Sequence, residues 1–158
     1  MTLEQYAYLA EITGVILIIA SLVYVARQIG QNTAMMRANA SVERVQRDFD
    51  LTSSIADSRE FAEIWAKGRS ELDSLDEVDR IRLQQFMRRA IVHWHNMFSL
   101  RAQDLLPDAD WNELRWLIRF FGSNQALLET WEVFKASFER GFQEFIDERF
   151  AAAGTDSR

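Results

Sequence analysis

The chain has 158 residues and carries 24 acidic against 18 basic side chains, a net charge of −6 that argues against a general nucleic-acid-binding protein. Cysteine is absent, which excludes disulfides, thiolate catalysis and cysteine-ligated zinc. With a single proline and six glycines, the composition predicts an all-α protein.

The first predicted element is an uncharged apolar run from Ile12 to Ala26. Between Tyr6 and Ala26 only Glu11 is charged, and a helix of that length spans about the 30 Å of a bilayer core. The alternative is a buried core helix of a soluble domain. The N-terminal position, the tyrosines near both ends and the basic residues on one side favour a transmembrane anchor at residues 1–27.

The charges that flank this run predict its orientation. No lysine or arginine precedes it, which argues against a cleavable signal peptide, whereas Arg27, Arg37 and Arg44 follow it. Because basic residues favour the cytoplasmic side of a membrane, we expect the N-terminus outside and the C-terminal domain in the cytoplasm.

One face of the predicted span is small and weakly polar, and the opposite face is aliphatic. Small residues let two helix backbones approach, and polar ones hydrogen-bond between helices, so this face predicts a seam between copies of the chain. The depth of Glu11 stays open, because its carboxyl is either interfacial or buried in the membrane. The candidate seam residues are Ala7, Ala10, Glu11, Gly14, Ser21, Gln28 and Asn32.

Four of these seam residues, Ala7, Gly14, Ser21 and Gln28, are spaced seven residues apart. The same spacing continues into a predicted juxtamembrane helix at residues 28–55. Its apolar stripe, which includes Val42 and Phe49, suits an oligomeric seam and packing on the chain's own domain equally well. Gly30 predicts a bend just inside the membrane, because glycine weakens a helix by about 1 kcal/mol relative to alanine.

Two groups of motifs carry a family resemblance over nearly the whole chain. The first is the membrane exit, Leu22 to Thr33, with the sequence LVYVARQIGQNT. The second comprises Asn96-Met97-Phe98, Leu105-Leu106, Trp111, Trp131-Glu132, Phe138 and the segment from Phe142 to Asp147. Together they resemble a widespread, functionally uncharacterised family of bacterial single-span membrane proteins with a helical cytoplasmic domain.

The resemblance implies a bacterial inner-membrane location and no particular activity. The chain departs from the family pattern at two places. Relatives often have a basic residue where Gly30 stands, so the exit is less basic here. They usually have a glycine before the paired leucines, where this chain has Gln103-Asp104, so that turn is expected to differ.

Residues 56–152 predict a cytoplasmic bundle of four to five helices, followed by a disordered tail at 153–158. Capping-box patterns place helix starts at Asp57, Ser74 and Asp110. A helix is predicted from about Asp76 to Gln103. Gly122-Ser123-Asn124 supplies the C-cap of one helix and the N-cap of the next, and the last helix runs through Leu127 to Phe150. Its aromatic stripe predicts core packing, with a groove for a lipid or another hydrophobic ligand as the alternative.

No residues that could carry catalysis emerge from the sequence. His93 and His95 are two apart and so lie on nearly opposite faces of a helix. Neither belongs to a Glu-x-x-His or His-Glu-x-x-His pattern, and the Walker and Gly-x-Ser-x-Gly motifs do not occur. We therefore predict no enzyme activity, no catalytic residues, no metal site and no cofactor.

The arginines have three interpretations. They pair with acidic residues of neighbouring helices, or they contact anionic lipid headgroups beneath the span. Contact with nucleic acid comes last, because the chain as a whole is acidic. The candidate lipid contacts are Arg27, Arg37, Arg44, Arg88 and Arg89.

The predicted function is that of a single-span inner-membrane protein that acts through binding or assembly. Its expected partners are the lipid bilayer, a second copy of the chain and an unidentified protein, and nucleic acid is not expected. The alternative is an oligomeric transport or channel element, in which Glu11, Ser21, Gln28 and Asn32 line a polar path.

Overall fold

The computed structural model describes residues 2–69 and 71–156, and it confirms the prediction of an all-α chain. Within these ranges it contains six α-helices, two short 3₁₀-helices (Leu72–Ser74 and Lys135–Ser137) and no strand. The α-helices are α1 (Leu3–Ala56), α2 (Arg59–Gly68), α3 (Glu77–Ala102), α4 (Asp108–Phe121), α5 (Gln125–Phe134) and α6 (Arg140–Asp156).

The chain divides into two compact units, Met1–Asn39 and Ala40–Arg158, which we call the N-terminal unit and the helical unit. Helix α1 contributes to both and is not interrupted at Gly30. Its most apolar 18-residue stretch has a mean hydropathy of 2.3, and none of that stretch is buried. Helix α1 is therefore long and apolar enough to cross a membrane.

The helical unit has one hydrophobic core, in which α3 packs on α2 and α5, and α4 packs on α6. Burying a large apolar side chain contributes about 1.5–3 kcal/mol, so these contacts dominate the stability of the unit. The Trp131 indole also donates to the Asp147 carboxylate at 2.7 Å, which ties α5 to α6. The most deeply buried large residues are Leu83, Ile91, Leu114, Ile118, Leu127, Trp131, Phe142 and Ile146.

The exact helix starts differ from those that the capping patterns predict. Ser58, not Asp57, caps α2 by accepting the Phe61 N–H, and Asp76, not Ser74, caps α3. Helix α4 already begins at Asp108, so Asp110 lies inside its first turn. The capping-box pattern misplaces the start of α4 because Pro107 occupies the N-cap position, and no side chain caps this helix.

The last predicted helix is in fact two helices. Between them, the 3₁₀ segment Lys135–Ser137 ends with Phe138 in an extended conformation. The Ser137 hydroxyl donates to the Phe134 carbonyl at 2.7 Å, a local bond that competes with a continuing helix. The three- and four-residue spacing of the aromatic residues continues through this break, so the spacing alone does not reveal that α5 and α6 are separate helices.

The end of α3 is a Schellman turn centred on Asp104. The Leu105 N–H donates to the Leu100 carbonyl at 3.0 Å, and the Asp104 N–H donates to the Arg101 carbonyl at 3.1 Å. Asp104 has a φ of 57°, in the left-handed region that favours glycine. This is the turn at which the resemblance places a glycine, so here an aspartate adopts the glycine-type conformation.

Ala153, in the last part of α6, packs against the end of α4. Ala153 is buried, and a Cβ added to Gly122 would lie 2.8 Å from the Ala153 Cβ. Only glycine allows α4 and α6 to approach this closely. Of the tail predicted at 153–158, Ala153 to Asp156 belong to α6, and Ser157 and Arg158 lie outside the described residues.

Candidate functional site

The helical unit contains a cavity of about 500 Å³ between the C-terminal part of α1 and helices α2 to α4, with the first turns of α5 at one end. Its wall is mainly apolar and aromatic. We call it the apolar cavity. It is lined by Asp48, Leu51, Thr52, Ile55, Ala56, Trp65, Phe86, Met87, Ala90, His93, Trp94, Glu113, Leu117, Phe121, Asn124 and Leu127.

One wall of the cavity includes a polar cluster around Arg44. The Arg44 guanidinium lies 3.0 Å from Asp48, 3.3 Å from Asp110 and 2.9 Å from Glu113. Its side chain is only 13% exposed. Charge-assisted bonds of this kind are stronger than neutral ones, so the cluster fastens the C-terminal part of α1 to α4.

His93 extends this cluster to α3. Its Nε2 lies 3.0 Å from the Asp48 carboxylate, and the residue is 4% exposed. Its Nδ1 is buried and has no hydrogen-bond partner among the described residues. Because a buried polar atom without a partner costs about 1–3 kcal/mol, this nitrogen is a candidate contact for a ligand.

Asn124 is the second buried polar side chain of the cavity. Its Oδ1 accepts the Leu127 N–H at 3.2 Å and so caps α5. This bond orients the amide, and its Nδ2 is left buried without a partner among the residues described. The Oδ1 of Asn124 therefore has a structural role as a helix cap, whereas its Nδ2 is available to donate to a ligand.

The two histidines have different surroundings, as their spacing predicts. His95 is half-buried and contacts the Glu139 carboxylate at 2.6 Å. Burial would raise the pKa of Glu139, but bonds to its own backbone N–H and to His95 outweigh burial and lower that pKa. His95 lies outside the apolar cavity, so only His93 belongs to the candidate site.

The cavity has the polar groups of a binding site without a nucleophile in position. A His–Asp pair like His93–Asp48 can activate a neighbouring hydroxyl. The hydroxyl that lines the cavity belongs to Thr52, and it donates to the Asp48 main-chain carbonyl at 2.8 Å. Among residues 2–69 and 71–156, no group of His, Asp and Glu side chains is placed to hold a metal ion.

The candidate lipid-contacting arginines fall into two sets. Arg27 and Arg37 belong to the N-terminal unit, whereas Arg44, Arg88 and Arg89 belong to the helical unit. Arg44 is enclosed by carboxylates, so its guanidinium belongs to the polar cluster. Arg88 and Arg89 are exposed on α3.

The candidate seam residues all lie on α1. Gly14 is partly exposed, and the other six are exposed. A Cβ added to Gly14 would meet no atom within 4 Å, so this position has room for a neighbouring helix. The Ser21 hydroxyl donates to the Leu17 carbonyl at 2.8 Å, a bond within α1 itself.

Sequence reasoning did not single out Asp48, Asn124 or Glu113 as residues of one site. Asn124 was expected only as a helix cap, and that role is confirmed. The acidic residues gave no local signal, because they meet through contacts between helices far apart in sequence. The pairing of Arg44 with Glu113 joins positions 69 residues apart.

Comparisons with protein families, curated proteins and solved structures return no match for this chain.

Proposed function

We propose that this chain is a single-span membrane protein that acts by binding a ligand and not by catalysis. In this proposal, residues 6–26 of α1 cross the inner membrane of a bacterium, and the four to five helices that follow form a cytoplasmic binding bundle. The observation that carries the proposal is an apolar cavity of about 500 Å³ whose lining includes Asn124, a residue with a buried amide N–H that has no partner among the described residues.

The exposure of α1 supports the anchor. Ile12, Ile16 and Ile19 are 57%, 59% and 55% exposed, although each is strongly apolar. Each exposed Å² of apolar surface costs about 25 cal/mol in water, so a hydrocarbon environment stabilises this helix. The arginines that follow the run support an external N-terminus.

The cavity wall supports an amphipathic ligand. Trp65, Phe86 and Phe121 contribute aromatic surface to it, and its volume lies within the range of about 300–1,000 Å³ that is usual for small-molecule pockets. A chain or ring system of membrane-lipid type would bury its apolar part there. The membrane anchor would keep the bundle close to a source of such molecules.

The polar atoms favour an uncharged ligand. The carboxylates of Asp48 and Glu113 line the cavity and would repel an anion, although Arg44 offsets part of their charge. The Asn124 Nδ2 can only donate, so the ligand needs an oxygen acceptor such as a carbonyl, an ester or a hydroxyl. We therefore propose a neutral amphiphile as the ligand class.

The transport alternative has less support. It requires Glu11, Ser21, Gln28 and Asn32 to converge on one axis between several copies of α1. The Ser21 hydroxyl proton is already used within the helix, which weakens a polar path at that level. Self-association of α1 remains part of the proposal as a way of assembling the anchors.

The test uses the full chain in phosphatidylcholine nanodiscs. Hydrogen exchange of the segment 86–94 is measured with 1-dodecanol, a neutral amphiphile, and with dodecanoate, its anionic counterpart. We expect dodecanol to slow exchange in this segment more than dodecanoate does. The variant Ala90→Phe should abolish the effect, because the new ring occupies the cavity, whereas Ala109→Phe on the exposed face of α4 should retain it.

A second variant separates the two halves of Asn124. Asn124→Ser retains an oxygen that caps α5 but removes the amide donor. We expect similar stability and up to about tenfold weaker dodecanol binding, the effect of one lost hydrogen bond. Equal slowing of exchange in wild type and Ala90→Phe would show that dodecanol does not enter the cavity and would refute the proposal.

A further inference from the structure

A second concavity, of about 280 Å³, lies between α1 and α3 and is strongly basic. Arg47 and Asp50 line it from α1, and Arg88, Arg89 and His93 line it from α3. We call this group the basic cleft. Three guanidiniums thus share a small volume with one carboxylate, in a chain whose net charge is −6.

The arginines of the basic cleft, one on α1 and two on α3, differ from the remaining arginines of α3, each of which pairs with an acidic residue. Arg80, on the same helix, lies 2.7 Å from the Glu129 carboxylate. Among the described residues, Arg47, Arg88 and Arg89 form no ion pair. Since like charges repel one another, three unpaired cations in one cleft are less stable than the same cations around an anion.

Two further contacts hold the walls of the cleft in place. The Arg88 guanidinium lies 4.7 Å from the centre of the Phe134 ring, and this stacking leaves its N–H groups available. The carboxylate of Asp50 accepts a bond from the Gln46 amide at 3.0 Å. The acidic residue of the cleft therefore already has a partner outside the arginine set.

His93 supplies a buried polar atom at the same place. Its Nε2 is held by Asp48, and its Nδ1 has no partner among the described residues although His93 is only 4% exposed. This nitrogen does not belong to the surface arginines, because His93 is itself buried on α3 and its other ring nitrogen contacts Asp48 on α1. A ligand in the basic cleft can supply the missing partner.

We infer that the basic cleft binds a phosphate group. Arginine presents a planar fork of N–H donors that matches the oxygens of phosphate, and three such forks exceed what one carboxylate can accept. A water molecule takes a share of about 30 Å³ in the liquid, so the cleft has room for a group several times larger. A phosphate oxygen can accept a hydrogen bond from the His93 Nδ1 when that nitrogen carries a proton. A phosphate hydroxyl can donate to it when it does not.

The phosphate has two chemically equivalent sources, the headgroup of an anionic lipid and a soluble phosphate compound. This inference does not depend on the apolar cavity, since the cavity favours neutral ligands and the cleft favours anions. The two sites share only Leu51 and His93 among their lining residues. Failure of one proposal therefore leaves the other intact.

The experiment uses the full chain in a neutral maltoside detergent. Titration calorimetry with inorganic phosphate, at constant ionic strength set with chloride, measures the soluble arm. Native mass spectrometry with phosphatidic acid, and with diacylglycerol as its uncharged counterpart, measures the lipid arm. We expect uptake of at least one of the two phosphate-bearing probes and no preference for diacylglycerol.

The variants decide whether this uptake occurs in the cleft. Arg89→Gln should weaken binding about tenfold by removing one charge-assisted contact. Arg140 is the control: its side chain is 91% exposed and pairs with Glu144, so Arg140→Gln should leave binding unchanged. Ala90→Phe, which fills the apolar cavity, should also bind phosphate normally.

Each outcome has a defined meaning. Phosphate binding that Arg89→Gln weakens identifies a soluble ligand, and binding of phosphatidic acid alone with the same dependence identifies a lipid headgroup. No uptake of either probe, or equal uptake by Arg89→Gln and Arg140→Gln, would overturn the inference.

Discussion

The two units of this chain use the same residue types in opposite surroundings. In the N-terminal unit, Ile16 and Ile18 are 59% and 61% exposed. In the helical unit, Ile91, Ile118 and Ile146 are completely buried. Apolar composition alone therefore does not tell a core helix from a membrane helix, whereas the presence of packing partners does.

The difference has a physical cause in the pattern of polar residues. Helix α3 carries exposed arginines between its buried apolar residues, so one of its faces can meet water while the opposite face packs in the core. Helix α1 has no charged residue between Glu11 and Arg27, so no face of that segment carries a charge and most of its surface is apolar. Such a helix needs an apolar environment on all sides, and a bilayer would supply it.

The largest expected effect comes from removing a core ring. Phe142 is completely buried and packs against Trp131 with a ring separation of 5.8 Å. Phe142→Ala should lower the free energy of unfolding of the helical unit by about 3–5 kcal/mol. Ile18→Ala, in the exposed run, should leave the thermal midpoint of the same detergent-solubilised chain unchanged.

The polar cluster gives the next largest effect. Arg44→Met keeps the length of the side chain but leaves the carboxylates of Asp48 and Asp110 without their cation. We expect a loss of about 2 kcal/mol, because a partly buried charge without its partner is strongly unfavourable. Arg59→Met, at a residue that is 94% exposed, is the control and should change the denaturation midpoint little.

The Schellman turn should respond in the opposite direction. Asp104 has a φ of 57°, which costs a non-glycine residue about 1 kcal/mol. Asp104→Gly should therefore raise the free energy of unfolding by up to that amount, whereas Asp104→Ala should not. A lower thermal midpoint for the glycine variant would mean that the aspartate side chain contributes more than the backbone conformation costs.

The N-terminal unit offers a comparison that concerns association and not folding. Gly14→Leu adds bulk where two α1 helices would meet, while it keeps the segment apolar. We expect it to weaken self-association in a membrane two-hybrid assay, and Ile16→Leu to have no effect. Interhelical hydrogen bonds in membranes average about 0.6 kcal/mol, so Ser21→Ala should be milder than the steric change. Unchanged association of the Gly14→Leu variant, at equal expression, would favour a monomeric anchor.

The smallest effect depends on pH. The pKa of Glu139 is lowered in the folded chain, so its contribution to stability is present above its unfolded value of about 4.5 and is lost as the pH falls through the folded pKa. Glu139→Gln should therefore be slightly less stable than wild type at pH 7, by a few tenths of a kcal/mol. The difference between their thermal midpoints should vanish well below pH 4, and a constant difference down to pH 3 would contradict this origin.

Much of the fold could be read from local patterns. The apolar run, the extent of α3 and the break at Gly122-Ser123-Asn124 are each encoded within a few residues, and the structure agrees with them. The break between α5 and α6 could not be predicted, because the aromatic spacing continues through it. One serine hydroxyl and the extended Phe138 decide the outcome there.

The candidate site was much less predictable than the fold. The apolar cavity is lined by residues from α1 to α5, which only the folded chain brings together, so no local motif encodes it. The role of Arg44 shows the same point. Its sequence position suggested contact with lipid, but its environment is decided by Asp110 and Glu113, which only the folded chain brings near it.

In the proposed arrangement, a bilayer surrounds residues 6–26 of α1 and leaves the helical unit in water. Because the chain has no cysteine, single cysteines can be introduced without a background. Ile18→Cys and Val78→Cys replace β-branched residues that are 61% and 66% exposed in the two units. Both variants are treated with a membrane-impermeant maleimide in inside-out vesicles. We predict rapid labelling of the Val78→Cys variant, and labelling of the Ile18→Cys variant only after denaturation in SDS. Equal labelling of both in intact vesicles would contradict the account.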